Sequence, residues 1–289
     1  MDQHRIAAAP ISWGVCEVPG WGHQLDPERV LTEMGELGIT ATEFGPAGFL
    51  PDDPAAKAAV LREHGLRAVG GFLPALLHDP DHDPLPEVDR YLDGCVAAGA
   101  GVVVIAAFTG TEGYDERPQI DDRGWQTLLA NLDHIDQRAR SRGLVAALHP
   151  HVGTMVEQRT EVLRVLDGSA IGLCVDTGHL LVGGTDPVAL TREHTQRVAH
   201  VHLKDVDASV ARRVLSGDLP YGDAIWQGLF APLGAGDVDI AALVQALEEA
   251  GYRGWYVLEQ DIKLSGEPSG EGPVGDVRAS LDYLRTGAA

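Results

Sequence analysis

The sequence is short of cations, and this shortage limits the partners it can bind. Its 289 residues include 22 Lys and Arg against 43 Asp and Glu, which gives a formal net charge of −21. Because no surplus of cations is available to neutralise phosphates, we do not expect non-specific binding of nucleic acid. The same deficit argues against attraction to an anionic membrane surface.

Cysteines and long apolar runs are also scarce. The three cysteines (Cys16, Cys95 and Cys174) are odd in number and form no CxxC pair, so we expect reduced thiols. The longest apolar run, residues 102–108, has the length of a strand, whereas a membrane span needs about 20 apolar residues. The charged start of the chain does not resemble a signal peptide. Together these absences predict a cytoplasmic protein.

Short apolar runs that alternate with longer helical patterns are what the sequence does contain. Continuous apolar character, as in residues 102–105, is typical of strands buried on both faces of a parallel sheet. Gly65, Gly143 and Gly251 each follow a predicted helix, where glycine favours helix termination. The eight predicted strands are 6–13, 41–44, 68–73, 102–108, 145–148, 171–175, 199–203 and 255–259.

Eight alternations in a chain of this length predict an α/β protein with a single (β/α)8 TIM barrel over residues 1–289. The competing fold is an open doubly wound sheet. That fold usually carries a glycine-rich phosphate loop after its first strand, and no such loop is present. The longest predicted insertion after a strand is at about 206–238 and contains Tyr221, Trp226 and Phe230. Such loops usually build the substrate site of a barrel.

Ionisable residues follow five of the eight predicted strands, at the end of the barrel where such enzymes place their chemistry. Because isolated buried charges are costly, their convergence indicates pairing or a metal. Imidazole with carboxylates suits Mn²⁺, Co²⁺, Fe²⁺, Mg²⁺ or Zn²⁺. The predicted ligands are Asp176, His202 and Glu259, with His149 or Glu157 as the fourth.

Two nearby residues have other predicted roles. Glu43 is expected to support a metal ligand or to contact the substrate. His200 is interpreted as a core residue on the sheet face opposite to His202, so that only His202 points into the barrel.

Three motifs in order along the chain make it resemble the xylose isomerase-like barrels, a superfamily of sugar isomerases and epimerases. They are CVDTGH (174–179), HVHLKD (200–205) and VLEQD (257–261). Within that superfamily the chain is most similar to the inosose (2-keto-myo-inositol) dehydratases. This second resemblance rests on PISWGVCEVPGWG (10–22), TEFGPAGFLP (42–51), HPHVGTMVE (149–157) and GDVDIAALVQAL (236–247).

The resemblance implies a divalent metal, typically Mn²⁺ or Co²⁺, held by Asp176, His202 and Glu259. Most of the superfamily has Glu at the position of His149, and the dehydratase branch is rich in histidine there. The implied substrate is a small polyol or keto-sugar. The resemblance is also compatible with a homo-oligomer, which no feature of the sequence decides.

The chemistry that fits this resemblance is dehydration of a cyclic keto-polyol. A carboxylate or histidine removes a proton α to the ketone, the metal stabilises the enediolate, and the β-hydroxyl leaves. The candidate catalytic residues are Glu43, His151, His179 and Lys204. Lys204 could hold a substrate oxygen or form an ion pair with Asp205. Candidate substrate contacts are Trp13, Glu17, Trp21 and Trp226, although plain core packing explains Trp13 equally well.

Three alternatives differ in the reaction or in its absence. An isomerase or epimerase would use the same enediolate and return the proton elsewhere. An endonuclease IV-type DNA repair enzyme would need more metal ligands and a surface for DNA, which the charge of −21 disfavours. A sugar-binding barrel without activity would keep the aromatic residues without needing the ligand set.

Overall fold

The computed structural model describes residues 3–111 and 113–286. Nine parallel strands form one sheet that curls into a nearly closed barrel, and two further short strands pair with each other in antiparallel fashion. The strands are β1 (Ile6–Ala8), β2 (Ala41–Thr42), β3 (Arg67–Ala68), β4 (Gly70–Ala75), β5 (Val102–Ala107), β6 (Val145–Leu148), β7 (Gly172–Asp176), β8 (Val198–Leu203), β9 (Asp205–Val206), β10 (Phe230–Ala231) and β11 (Tyr256–Leu258).

The barrel closes through its third strand position, which β3 and β4 share. The strand order is β3-β2-β1-β11-β8-β7-β6-β5-β4, so β3 and β4 stand at the two ends of the sheet while following each other in the chain. Val69 lies between them. Its N–H donates to Thr42 (2.9 Å), and its carbonyl accepts from Gly101 (3.0 Å) and Val102 (3.1 Å). The structure therefore confirms a TIM barrel with eight strand positions.

Helices follow the strands and cover the outside of the barrel. Aspartates cap several of them; the side chain of Asp26, for example, accepts from the N–H of Glu28 at the start of the first helix. The helices are α1 (Pro27–Glu36), α2 (Pro54–Glu63), α3 (Leu85–Ala98), α4 (Asp122–Ser141), α5 (Arg159–Gly168), α6 (Thr177–Val182), α7 (Pro187–Glu193), α8 (Ala208–Leu215), α9 (Tyr221–Trp226), α10 (Ile240–Glu249) and α11 (Pro273–Thr286). No helix within the described residues is apolar over enough of its length to span a membrane.

The prediction of one strand over residues 6–13 is wrong in its second half. The strand ends at Ala8, and Pro10–Trp13 forms a short 3₁₀ helix. Pro10 cannot donate to a strand ladder, and its fixed φ suits the first position of a helix. The insertion predicted at about 206–238 contains α8 and α9, bracketed by the hairpin of β9 and β10.

Two layers of buried residues lie on either side of the barrel wall. The larger one, between strands and helices, includes Trp13, Met34 and Leu128. Smaller clusters fill the barrel itself; one of them contains Val102, Val104, Ala147 and Cys174. Alternate residues of a strand face opposite sides of the sheet. Residues an even number of positions from a member of this inner layer therefore also point into the barrel, and the same rule applies to the polar residues at the strand ends.

Candidate active site

Three ligand-type side chains meet at the carboxyl ends of neighbouring strands. Asp176 ends β7, His202 lies near the end of β8, and Glu259 directly follows β11. His202 Nδ1 lies 3.1 Å from Glu259 Oε2 and 3.5 Å from Asp176 Oδ2. One ligand atom from each residue lies within 4.8 Å of the others. The structure thus brings together the three residues on which the predicted metal site rests.

Lys204 lies among the carboxylates of this cluster. Its Nζ is 3.2 Å from Asp176 Oδ2, 3.0 Å from Glu259 Oε2 and 2.8 Å from Asp261 Oδ1. Burial alone would lower the pKa of Lys204, but these three carboxylates outweigh it and hold the pKa well above its usual value. Lys204 is therefore a buried ammonium.

The alternative pairing of Lys204 with Asp205 is wrong. The Asp205 carboxylate instead accepts hydrogen bonds from backbone N–H groups, which hold the end of the insertion against β9. The donors are Val206, Gly234, Gly236 and Val238, at 2.8–3.0 Å.

Three buried histidines line one side of the cluster. His149 Nε2 lies 3.1 Å from Asp176 Oδ2, and the rings of His151 and His179 stack with centroids 3.7 Å apart. Burial is the largest influence on all three and lowers each pKa below its usual value. They are therefore neutral imidazoles.

The hydrogen bond of His151 fixes which of its nitrogens is free. His151 Nδ1 lies 2.7 Å from the carbonyl oxygen of Val152. A carbonyl can only accept, so Nδ1 carries the proton and Nε2 carries a lone pair. Since His151 lines the cavity, this lone pair is available to a molecule bound there.

Glu43 joins two histidines of β8. Its Oε1 accepts from His200 Nε2 at 2.7 Å and from His202 Nε2 at 3.1 Å. The prediction that His200 faces away from His202 is wrong, because residues two apart on a strand share one face. Burial would raise the pKa of Glu43, but His202 and His200 outweigh it and lower the pKa far below its usual range.

A cavity of about 450 Å³ opens above the cluster, within the size range of small-molecule sites. Its floor is polar and its upper wall is largely aromatic and apolar. The floor is formed by Glu43, His149, His151, His202, Lys204, Glu259 and Asp261, and the aromatic wall by Trp21, Phe44, Phe72, Tyr91, Tyr114 and Tyr221.

The predicted substrate contacts divide into two groups. Glu17 and Trp21 line the cavity, and Glu17 accepts a hydrogen bond from Tyr114 Oη (2.6 Å). Trp13 is fully buried and donates its indole N–H to Glu33, so it packs in the core. Trp226 is 52% exposed and does not line the cavity.

Sequence reasoning gave no site role to several cavity residues, among them Tyr114, Tyr221 and Asp261. Tyr221 Oη donates to Asp261 Oδ2 at 2.7 Å. The signal for Asp261 was its position two residues after Glu259, which places both on one face if the extended chain continues. The only signal for Tyr221 was its position in the insertion, and the path of a loop cannot be predicted from hydrophobic periodicity.

The donor set fits a divalent metal. His202 Nδ1 is buried and has no hydrogen-bond partner among the described residues, although carboxylate oxygens lie beside it. Burial would lower the pKa of His202, but the negative groups around it, Glu259 and Glu43 among them, raise the pKa well above its usual value. A positive charge is therefore favoured here, either a proton on Nδ1 or a metal ion bound to it, and imidazole with carboxylates suits several divalent ions. His149 forms one group with Asp176 and His179 and another with Cys174 and His202, but among the described residues it forms none with Glu259. Glu157 accepts from the N–H of Gly153 and pairs with Arg117 instead.

Comparison with known proteins agrees with this architecture. A family model described as "Xylose isomerase-like TIM barrel" matches residues 31–286. The rhizopine catabolism protein MocC of Rhizobium meliloti is 35% identical, over 89% of this chain and 81% of MocC. An inosose dehydratase of Geobacillus kaustophilus is 30% identical, over 90% of this chain and 88% of its own length.

Solved structures show the same fold at low sequence identity. A structure of L-ribulose 3-epimerase has a TM-score of 0.70 at 16% identity and covers 98% of this chain and 94% of its own. A structure of IOLI protein with a zinc atom has a TM-score of 0.69 at 15% identity and covers 97% of this chain and 96% of its own. The family match spans most of the sequence, and it fits the barrel and the polar cluster at the carboxyl ends of its strands. The chain is therefore an enzyme of the xylose isomerase-like TIM barrel family.

Proposed function

We propose that the protein is a metal-dependent hydro-lyase that removes water from a cyclic keto-polyol such as 2-keto-myo-inositol. The observation that carries this proposal is the free lone pair of His151 Nε2 beside a candidate metal site and a buried ammonium. Dehydration needs a base for the α proton, an acid for the leaving hydroxyl and a cation near the ketone. Relatives named inosose dehydratase support this choice of substrate.

The metal would be held by Asp176, His202 and Glu259, with His149, whose Nε2 lies 3.1 Å from Asp176 Oδ2, as the fourth ligand. When bound, a divalent ion would supply Lewis-acid polarisation of the substrate ketone. We propose Mn²⁺ or Co²⁺, while Mg²⁺, Fe²⁺ and Zn²⁺ share the same ligand preferences in part. The zinc atom of the IOLI structure is in keeping with a divalent ion in such a barrel.

His151 can serve both proton transfers of a dehydration. Its neutral Nε2 accepts the proton α to the ketone, and the electron pair of the broken C–H bond forms an enolate with its negative charge on the ketone oxygen. The imidazolium then donates the same proton to the β-hydroxyl. As the C–O bond breaks and water leaves, the ketone re-forms and a double bond forms between the α and β carbons. No oxidant or reductant is needed, and the histidine returns to its starting state.

Lys204 and His179 support these steps. The Lys204 ammonium can donate to a substrate oxygen on which negative charge develops, and it already lies 2.9 Å from His179 Nε2. His179 stacks on His151 and does not line the cavity; its Nε2 accepts the hydrogen bond from Lys204, so its role is to hold that ammonium in place. Trp21 and Phe44 add aromatic side chains to the cavity lining, which suit the C–H groups of a polyol ring.

An isomerase or epimerase is the alternative. It would begin with the same proton removal and would need a second group to return the proton at another position. Glu43 is the observation in its favour, because its carboxylate also lines the cavity.

The product decides between the two reactions. Purified protein with Mn²⁺ or Co²⁺ is mixed with 2-keto-myo-inositol, and the product is analysed by mass spectrometry. We expect a product one water lighter, and a kcat about 10²–10⁴-fold lower for His151→Asn. The matched control is His134→Asn, which changes an exposed histidine of α4 and should leave kcat unchanged. A new isomer of unchanged mass would instead establish the alternative.

We also propose that the enzyme acts in the cytoplasm. Cys95 and Cys174 are buried, Cys16 is half-buried, and all three are free thiols, in keeping with a reducing compartment.

A further inference from the structure

Glu43 reaches across the barrel floor to two histidines that lie on one face of β8. All three side chains are almost completely buried, with Glu43 3% exposed, His200 0% and His202 1%. The backbone of Glu43 is fixed by the sheet, because its N–H donates to the carbonyl of Ala8 (3.1 Å). Glu43 directly follows β2 and its backbone is still hydrogen-bonded to β1, so the position of its Cα is set by the barrel.

The hydrogen bond from His202 Nε2 to Glu43 decides which nitrogen of His202 faces the candidate metal ligands. A histidine that binds a metal ion is a neutral imidazole with a single N–H, and in His202 that N–H lies at Nε2, where Glu43 accepts it at 3.1 Å. The other nitrogen, Nδ1, then carries a lone pair and points at Asp176 and Glu259. Because the Nε2–H group donates to Glu43, a flip of the imidazole ring would break a buried hydrogen bond to a charged acceptor.

His200 holds Glu43 in turn. Its Nε2 donates to the same oxygen, Oε1, at 2.7 Å, which is shorter than the bond from His202. Its Nδ1 is buried and has no hydrogen-bond partner among the described residues. The hydrogen bond to Glu43 is thus the polar interaction that explains a histidine at this buried position.

We infer that Glu43 is a positioning residue that fixes the tautomer and orientation of His202 as a metal ligand, and that His200 keeps Glu43 in place. This inference rests on the metal site of the proposed function. Metal-binding histidines commonly donate their second N–H to a carboxylate, and removing such a partner weakens metal binding about 10–100-fold. Glu43 then acts through His202 and does not itself exchange protons with the substrate.

The test is the affinity of the full-length protein for Mn²⁺ alone, measured by isothermal titration calorimetry after removal of bound metal. For Glu43→Gln we expect the Kd for Mn²⁺ to rise about 10–100-fold. The visible absorption spectrum of the Co²⁺-loaded variant should also change, because it reports the geometry of the ligands. His200→Asn shortens the donor to Glu43 and should weaken Mn²⁺ binding in the same direction by a smaller factor.

Glu248→Gln is the matched control. Glu248 Oε1 also accepts two hydrogen bonds, from Arg5 (2.6 Å) and Tyr256 (2.7 Å), but it lies on α10 away from the cavity. The same chemical change there should lower thermal stability and leave the Kd for Mn²⁺ and the Co²⁺ spectrum as in the wild type.

Two results would overturn the inference while leaving the proposed function intact. The first is a Glu43→Gln protein that dehydrates slowly but binds Mn²⁺ as tightly as the wild type, which would make Glu43 a proton carrier. The second is His200→Asn with unchanged Mn²⁺ affinity, which keeps the test decisive if Glu43→Gln does not fold. Failure of the wild type to bind either Mn²⁺ or Co²⁺ would overturn the proposed metal site itself, without any variant.

Discussion

At the scale of single residues, Lys204 balances the negative charge buried under the cavity. Asp176, Glu259 and Asp261 all lie within 3.2 Å of its ammonium nitrogen, and Lys204 is 2% exposed. Removing one partner from such a group leaves charges that neither water nor protein compensates. This loss of compensation makes Lys204 a stabilising residue as well as a candidate contact for the substrate.

Lys204→Met is expected to lower the free energy of unfolding by about 3–5 kcal/mol, as measured by urea denaturation at pH 7 without added metal. Lys57→Met is the control, since the Lys57 ammonium lies over the Phe44 ring at the cavity (4.5 Å) and should contribute about 1 kcal/mol or less. Equal losses in the two variants would mean that the buried ammonium compensates no carboxylate.

The sequence predicted the convergence of Asp176, His202 and Glu259 for a simple physical reason. Parallel strands of a barrel end at the same rim, so polar residues at those ends must meet. The orientation of His200 on β8 was predicted wrongly. Residues two apart on a strand face the same side, whereas the prediction placed His200 and His202 on opposite sides. Tyr114 and Tyr221 could not be predicted, because the paths of their loops depend on tertiary packing.

At the scale of secondary-structure elements, the strands were largely predictable and their ends were not. Residues 102–107 form β5 and are buried on both faces, as their continuous apolar character predicts. The predicted third strand is interrupted at Val69, where the barrel closes. Closure depends on which edges meet in space, and local sequence carries no signal for that.

The hydrogen bonds that Glu248 of α10 accepts from Arg5 and from Tyr256 of β11 should stabilise the fold in a pH-dependent way. Burial would raise the pKa of Glu248, but hydrogen bonds from Tyr256 and Arg5 outweigh it and lower the pKa below its usual value. A folded pKa below the unfolded value contributes stability above the unfolded pKa of about 4.3. That contribution is lost as the pH falls through the folded pKa.

Glu248→Gln is therefore expected to lower the free energy of unfolding by about 1 kcal/mol at pH 7, and the difference from wild type should shrink at pH 3. Urea denaturation at both pH values measures it. Glu249→Gln changes the exposed neighbour on the same helix and should have little effect at either pH. A difference for Glu248→Gln that is as large at pH 3 as at pH 7 would show that its ionised form contributes nothing.

At the scale of the whole molecule, the candidate ligands come together only when β7, β8 and β11 lie side by side in the sheet. β7, β8 and β11 are adjacent in the sheet, with Asp176 paired to His202 and Val257 paired to His202 across the two ladders. In sequence, however, Asp176 and Glu259 are separated by the whole β9–β10 insertion and by α10. An unfolded chain has no preformed site of this kind, so a metal that binds here binds the folded state.

Metal removal should therefore lower the melting temperature. A ligand specific for the folded state stabilises it by about 2.7 kcal/mol at a concentration of 100 times Kd, which corresponds to about 5 °C or more for a domain of this size. We expect this rise when Mn²⁺ is added to chelator-treated protein in a thermal denaturation assay, and no rise for Asp176→Asn or Glu259→Gln. A chain with a net charge of −21 also attracts divalent ions to its surface, so these variants decide where the ion binds. An equal rise in wild type and variants would place the ion on the acidic surface and remove the metal from the proposed reaction.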